Sequence, residues 1–132
     1  MLVHIALTKG EDRELCARVG ECVHRAVISA LNPGEEGCLR VVTGQALDSR
    51  AAAVPARAAQ ADVAAVILVY PRSQISDRKK RMLFGRIGEG LEKECRIGKG
   101  GLVVGIIEQP QRNWYYGGAA MKLEEMMAGG LP

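Results

Sequence analysis

Residues 63–108 read VAAVILVYPRSQISDRKKRMLFGRIGEGLEKECRIGKGGLVVGIIE: an apolar run, a long charged run with spaced apolar residues, and a second apolar run. Ala64 to Tyr70 has the length and composition of a buried strand. Ser76 or Asp77 supplies a side-chain oxygen able to cap a helix. Leu83, Ile87, Leu91 and Cys95 then recur every four residues, which predicts one apolar helical face. Gly98, Gly100 and Gly101 are expected to end that helix, and Leu102 to Glu108 reads as the next strand.

The same order stands upstream. Val3, Ile5 and Leu7 alternate with His4 and Ala6, so residues 2–8 read as a strand, broken by Lys9-Gly10. From Glu11 to Leu31 the residues Leu15, Val19, Val23, Val27 and Leu31 recur every four, a helix of about five turns. Asn32-Pro33-Gly34 is expected to end it, because proline disfavours helix in the residue before it and glycine supplies positive φ. Cys38 to Thr43 reads as a short strand, and Gly44 to about Gln60 as an alanine-rich connector without assignment.

Equivalent positions keep a constant offset. Val3 to Val66 and Leu39 to Leu102 are each 63 residues apart, and Val19 to Leu83 and Val27 to Leu91 are each 64. A repeat of this length describes a whole fold rather than a local element. It predicts one domain over residues 1–132, built of β-α-β units at about 1–60 and 61–118. A tail, 119–132, carries Met121, Leu123, Met126 and Met127 on a short helical pattern. Each unit makes a right-handed parallel crossover. The two together predict an α+β fold, a four-stranded mixed sheet with two long helices on one face. The opposite sheet face then needs a cover, which points to self-association.

Composition limits the function. At 132 residues the chain can bury a core without staples. With 48% hydrophobic and 25% charged residues it is neither disordered nor collagen-like. Its apolar runs stop near seven residues, against about 20 for a membrane span, and its start shows no secretory signal. A soluble, cytoplasmic protein without a membrane partner is expected. The net charge of +3 argues against nucleic acid as the partner. The run Arg78-Lys79-Lys80-Arg81 reads as an anion or nucleic-acid contact or as a solvated face, the latter favoured because no aromatics interleave it. Cys16, Cys22, Cys38 and Cys95 form no C-x-x-C pair and no metal-ligand spacing with His4 or His24, so no metal or cofactor is implied. Cys16, Cys22 and Cys95 fall on helical patterns as small core residues. Neither histidine has a partner that the sequence can name. Trp114, Tyr115 and Tyr116 are consecutive in a chain with five aromatics, which suits the lining of a cavity.

Several segments in this order carry a resemblance: His24-Arg25-Ala26, Arg72-Ser73 with Ser76 and Lys80, Leu91 to Cys95, Val103 to Glu108, and Asn113-Trp114-Tyr115-Tyr116-Gly117. Over roughly 1–118 the chain resembles the tautomerase superfamily, in particular the group of malonate semialdehyde decarboxylase and cis-3-chloroacrylic acid dehalogenase. The resemblance implies a homotrimer packed through its sheets, and chemistry by the free amine of an N-terminal proline on small carboxylic acids. Here Met1 stands at that position, with Leu2 after it hindering removal of the methionine. Loss of proline-dependent tautomerase, decarboxylase and dehalogenase activity is therefore expected, on a scaffold that keeps an acid-binding cavity. The alternative is an enzyme of small 2-oxo or 3-oxo acids using the Met1 amine as base or imine former, since a primary amine condenses with carbonyls as lysine does. Against that, the Met1 side chain would plug the cavity. The resemblance also implies two arginines at the end of the third strand. Arg72 is the one arginine in that stretch, with Tyr70, Ser73 and Ile75 at the other alignments. The acidic residue implied after the first helix is represented by Glu36, beside the matching Gly37, and the aromatic wall by Trp114 and Tyr116.

Overall fold

The computed structural model describes residues 1–32, 38–44, 63–115 and 117. Its elements run β1 (Leu2–Leu7), α1 (Arg13–Leu31), β2 (Leu39–Gly44), β3 (Ala65–Tyr70), α2 (Asp77–Cys95) and β4 (Leu102–Ile106), with single 3-10 turns at Lys99–Gly101 and Gln111–Asn113. The strands form one sheet in the order β2-β1-β3-β4. β1 pairs parallel with β2, and β3 parallel with β4, each pair joined through a helix, while the central strands β1 and β3 run antiparallel. This is the α+β, mixed four-stranded architecture expected from the repeat.

Alternation along the strands sets the layers. Val3, Ile5 and Leu7 of β1 and Ala65, Ile67 and Val69 of β3 are at most 1% exposed. They pack in one core with Val19, Val23 and Val27 of α1 and Leu83, Ile87 and Leu91 of α2. Each such aliphatic side chain contributes about 1.5–3 kcal/mol by leaving water. The helices meet closely at Gly90, where an added Cβ would stand 2.7 Å from Cys22 Sγ. Both helices therefore lie on one sheet face. Strand register puts Leu2, His4, Ala6, Leu39, Val41, Val66, Leu68 and Tyr70 on the other. On that face Leu39 is 63% and Val41 40% exposed.

The helix ends differ in detail from the sequence reading. Asp12 caps α1, its Oδ1 accepting from Leu15 N–H at 3.0 Å, so the helix begins at Arg13 rather than Glu11. Asn32, not a glycine, takes the left-handed conformation at its end (φ 45°), its N–H donating to the Ile28 carbonyl. Ser76 caps α2 through Lys79 N–H. α2 stops at Cys95, before the glycines, with Arg96 left-handed at φ 57° and Ile97 N–H donating to the Leu91 carbonyl at 3.0 Å. That closure over residues 91–97, with Ile97 buried, holds a non-glycine residue in a conformation it disfavours. β4 ends at Ile106, two residues short of the expected Glu108, whose side chain is taken up elsewhere. Cys22 and Cys95 are buried as expected, whereas Cys16 is half-buried with its thiol donating to the Gly10 carbonyl. His4, for which the sequence names no partner, has Nε2 3.0 Å from Thr43 Oγ1 across the β1–β2 pair. The connector at 45–60 and the helical pattern at 119–128 lie outside the described residues.

The turn after β1 crosses the end of β2 so closely that a Cβ on Gly10 would overlap the backbone of Gly44. Gly10→Ala should therefore cost about 1–3 kcal/mol or more, read as a lowered urea midpoint. Gly85→Ala, facing open space on α2, should not lower it.

Candidate functional site

Antiparallel pairing of the central strands aligns Leu2 with Tyr70. The start of β1 thereby meets the end of β3, and the same end of the molecule receives the end of α1 and the first turn of α2. A cavity of about 310 Å³ lies there, lined by Met1, by Leu31 and Asn32 from α1, by residues 71–76, and by Lys79. Met1 is tied to the sheet through its carbonyl, which accepts from Leu39 N–H at 3.0 Å. Burial pushes the nearby Cys38 thiol up, against the pull of the N-terminal amine and Arg40.

Three of the residues singled out from the sequence, Met1, Arg72 and Ser73, thus line one cavity although up to 72 positions separate them. Tyr70 and Trp114 meet each other instead, edge to face with ring centroids 6.1 Å apart and planes at 80°. Tyr70 points to the open sheet face, and neither ring is among the described residues that line the cavity. Glu36 and Tyr116 lie outside the described residues. Among the described residues no group of three or more His, Cys, Asp or Glu side chains could hold a metal ion.

The sequence reading missed Glu108. Its carboxylate forms an ion pair with Lys80, and its Oε2 accepts from Ile75 N–H at 3.2 Å. Their side chains are 25% and 28% exposed. One carboxylate thus joins the segment after β4 to the loop between β3 and α2 and to the first turn of α2. That loop is most of the cavity wall. The basic run at 78–81 is therefore not uniformly solvated: Lys80 turns to Glu108, with Asp77 4.0 Å away, while Lys79 lines the cavity. No spacing rule pairs residues 28 apart, so only the acidic residue after an apolar strand could have flagged Glu108. The hydrogen bond from Lys80, assisted by the Ile75 N–H, draws the Glu108 carboxyl below its ordinary value of 4.5 against the cost of desolvation. At the α1–α2 contact, burial, reinforced by Glu94 and Cys95, pushes the Cys22 thiol up to about 12, which leaves it an inert core thiol at neutral pH.

No protein-family model matches the chain, and no curated protein sequence matches it. Solved structures do. A malonate semialdehyde decarboxylase inhibited by 3-bromopropiolate superposes with a TM-score of 0.74 at 20% identity, over 99% of this chain and 98% of that one. A second malonate semialdehyde decarboxylase gives 0.73 at 18% identity over the whole of both chains. A fused 4-OT described as a symmetric trimer gives 0.72 at 15% identity, over 99% of this chain and 100% of that one. What the chain shares with them is a fold, that of the tautomerase superfamily.

A carboxyl with a lowered folded-state pKa contributes stability above its ordinary value and loses it as pH falls through the folded one. Glu108→Gln should lower the urea midpoint at pH 7. The gap from the unsubstituted protein should shrink as pH drops below 4.5, where Glu108 itself becomes protonated.

Proposed function

We propose that this chain, which has the tautomerase-superfamily fold, is a self-associating protein that binds small carboxylic acids in the Met1 cavity and lacks proline-dependent chemistry. The observation that carries the reading is the convergence of Met1, Arg72 and Ser73 on that one cavity. A guanidinium grips a carboxylate through two parallel hydrogen bonds, and the Ser73 hydroxyl adds a donor beside it. The residue ahead of β1 is methionine, and the first proline of the sequence is Pro33. The secondary amine on which the family's chemistry depends is then missing, while the acid grip is retained.

Three copies of the chain would cover one another's open sheet faces. The apolar register residues on that face, with Leu39 and Val41 well exposed, support this. So do the fused 4-OT structures described as trimers. Sedimentation equilibrium should give a mass of about three times 14.2 kDa. Leu39→Asp together with Val41→Asp should shift it to the monomer, since each would bury an unpaired carboxylate in the contact.

A second reading is favoured by Met1 itself lining the cavity. An α-amine has an ordinary pKa of about 7.7–8.0, so a fraction of it is unprotonated near neutral pH. The unprotonated amine could then attack the carbonyl carbon of a 2-oxo or 3-oxo acid, expel water and form an imine. Borohydride adds hydride to that imine carbon and leaves a stable secondary amine. Treatment with pyruvate and borohydride, followed by peptide mapping, separates the readings. Binding that depends on Arg72 without a Met1 adduct is the expected result. Selective labelling of Met1, with the lysines unlabelled, would establish the enzyme reading instead.

A further inference from the structure

We propose that a second cavity, at the end of the central strands opposite Met1, binds a monocarboxylic acid with a short apolar body, its carboxylate held by Lys9 and Arg96. This site is separate from the Met1 cavity and does not depend on the acid-binding reading above. The central strands place it. Leu2 pairs with Tyr70 and Leu7 with Ala65, and the repeat offset of 63 carries each of these pairs onto the other. What the fold builds around Met1 it therefore builds again around Ala64. A cavity of about 460 Å³ lies there. Its lining reproduces that of the Met1 cavity at offsets of 63 or 64: Ala64 for Met1, Lys9 for Arg72, Asp12 for Ser76 and Arg96 for Asn32. Ser76 and Asp12 each cap a helix, and Asn32 and Arg96 are both left-handed, so the equivalence holds in the structure and not only in the numbering.

The side chains differ from those of the Met1 cavity, and the differences set the ligand. Leu7, Cys95 and Ile97 are the buried part of the lining and are apolar, whereas Lys9, Asp12 and Arg96 are exposed and charged. A ligand that follows this division has an apolar body and an ionic head. Burial pushes the Cys95 thiol up, so it stays neutral. Asp12 is the one acidic side chain among the described residues of the lining, and its Oδ1 accepts from Leu15 N–H. Among the described residues, neither the Lys9 ammonium nor the Arg96 guanidinium makes an ion pair or a hydrogen bond. Two cations against one carboxylate leave a single positive charge, which one further carboxylate answers. Arg96 is itself a costly choice. The closure by Ile97 holds this position at φ 57°, where glycine or asparagine fits more easily, and asparagine is what stands at the equivalent Asn32. An arginine kept against the local preference marks a position occupied for its side chain.

Titration of the whole nitrogen-15-labelled protein with hexanoate at pH 7.5, followed through its amide shifts, tests this. The amides of Thr8, Ile97 and Gly98 should move and saturate. Acetate, which lacks the apolar body, should bind there about tenfold more weakly or worse, since each buried methylene adds to affinity. Hexanamide, which lacks the charge, should bind about fivefold more weakly, the size of effect an exposed ion pair supports. In Lys9→Gln combined with Arg96→Gln, hexanoate and hexanamide should bind alike. No shift at Thr8, Ile97 and Gly98 would overturn the proposal, and shifts confined instead to Ser73, Gln74 and Ile75 would leave the acid-binding reading of the Met1 cavity standing. Equal binding of hexanoate and hexanamide by the unsubstituted protein would overturn the carboxylate head. A preference for hexanoate that survives in the double variant would overturn the roles of Lys9 and Arg96.

Discussion

Two helices can cover only one face of a four-stranded sheet, and the rest of this structure follows from that limit. Val3, Ile5, Leu7, Ala65, Ile67 and Val69 are sealed beneath α1 and α2. Strand geometry then sends the intervening residues to the opposite side, where Leu2, Ala6, Val66 and Leu68 are also apolar. The protein has invested hydrophobic residues in both faces and covered one with its own described helices. Strands buried on both faces read as continuous apolar runs, and β3, with its sequence AVILVY, is such a run.

The antiparallel junction between the two units is the second consequence. Had β1 and β3 run parallel, Met1 would lie beside Ala65 and its connector. Running antiparallel, they set Met1 beside Tyr70, Pro71 and the start of α2. The cavity is thus a product of pairing between units rather than of either unit alone. Its wall is held by a contact from outside it, since Glu108 engages both Ile75 and Lys80. Partial burial strengthens such a tie, because a carboxylate shielded from water depends more on the donors it has.

The structural likeness to malonate semialdehyde decarboxylases at 18–20% identity shows how little of a sequence this architecture requires. Gly10 against Gly44, and Gly90 against Cys22, are positions where side-chain volume would push elements apart. At the Met1 end, methionine stands ahead of β1 and one arginine, Arg72, lies in the loop between β3 and α2.

By itself the sequence determined the repeat, the element order and the buried side of β1 and of both helices. Period-two and period-four patterns are local, and burial acts on each residue through them. Leu83, Ile87 and Leu91 needed no knowledge of their partners to be read as core. The approach of Met1 to Arg72, the division between Lys79 and Lys80, the bond from His4 to Thr43 and the left-handed ending at Arg96 were decided by tertiary structure alone. Each depends on which end of one element meets which end of another, and strand pairing across some 60 residues sets that. An apolar pattern records which way a side chain faces, not what it faces.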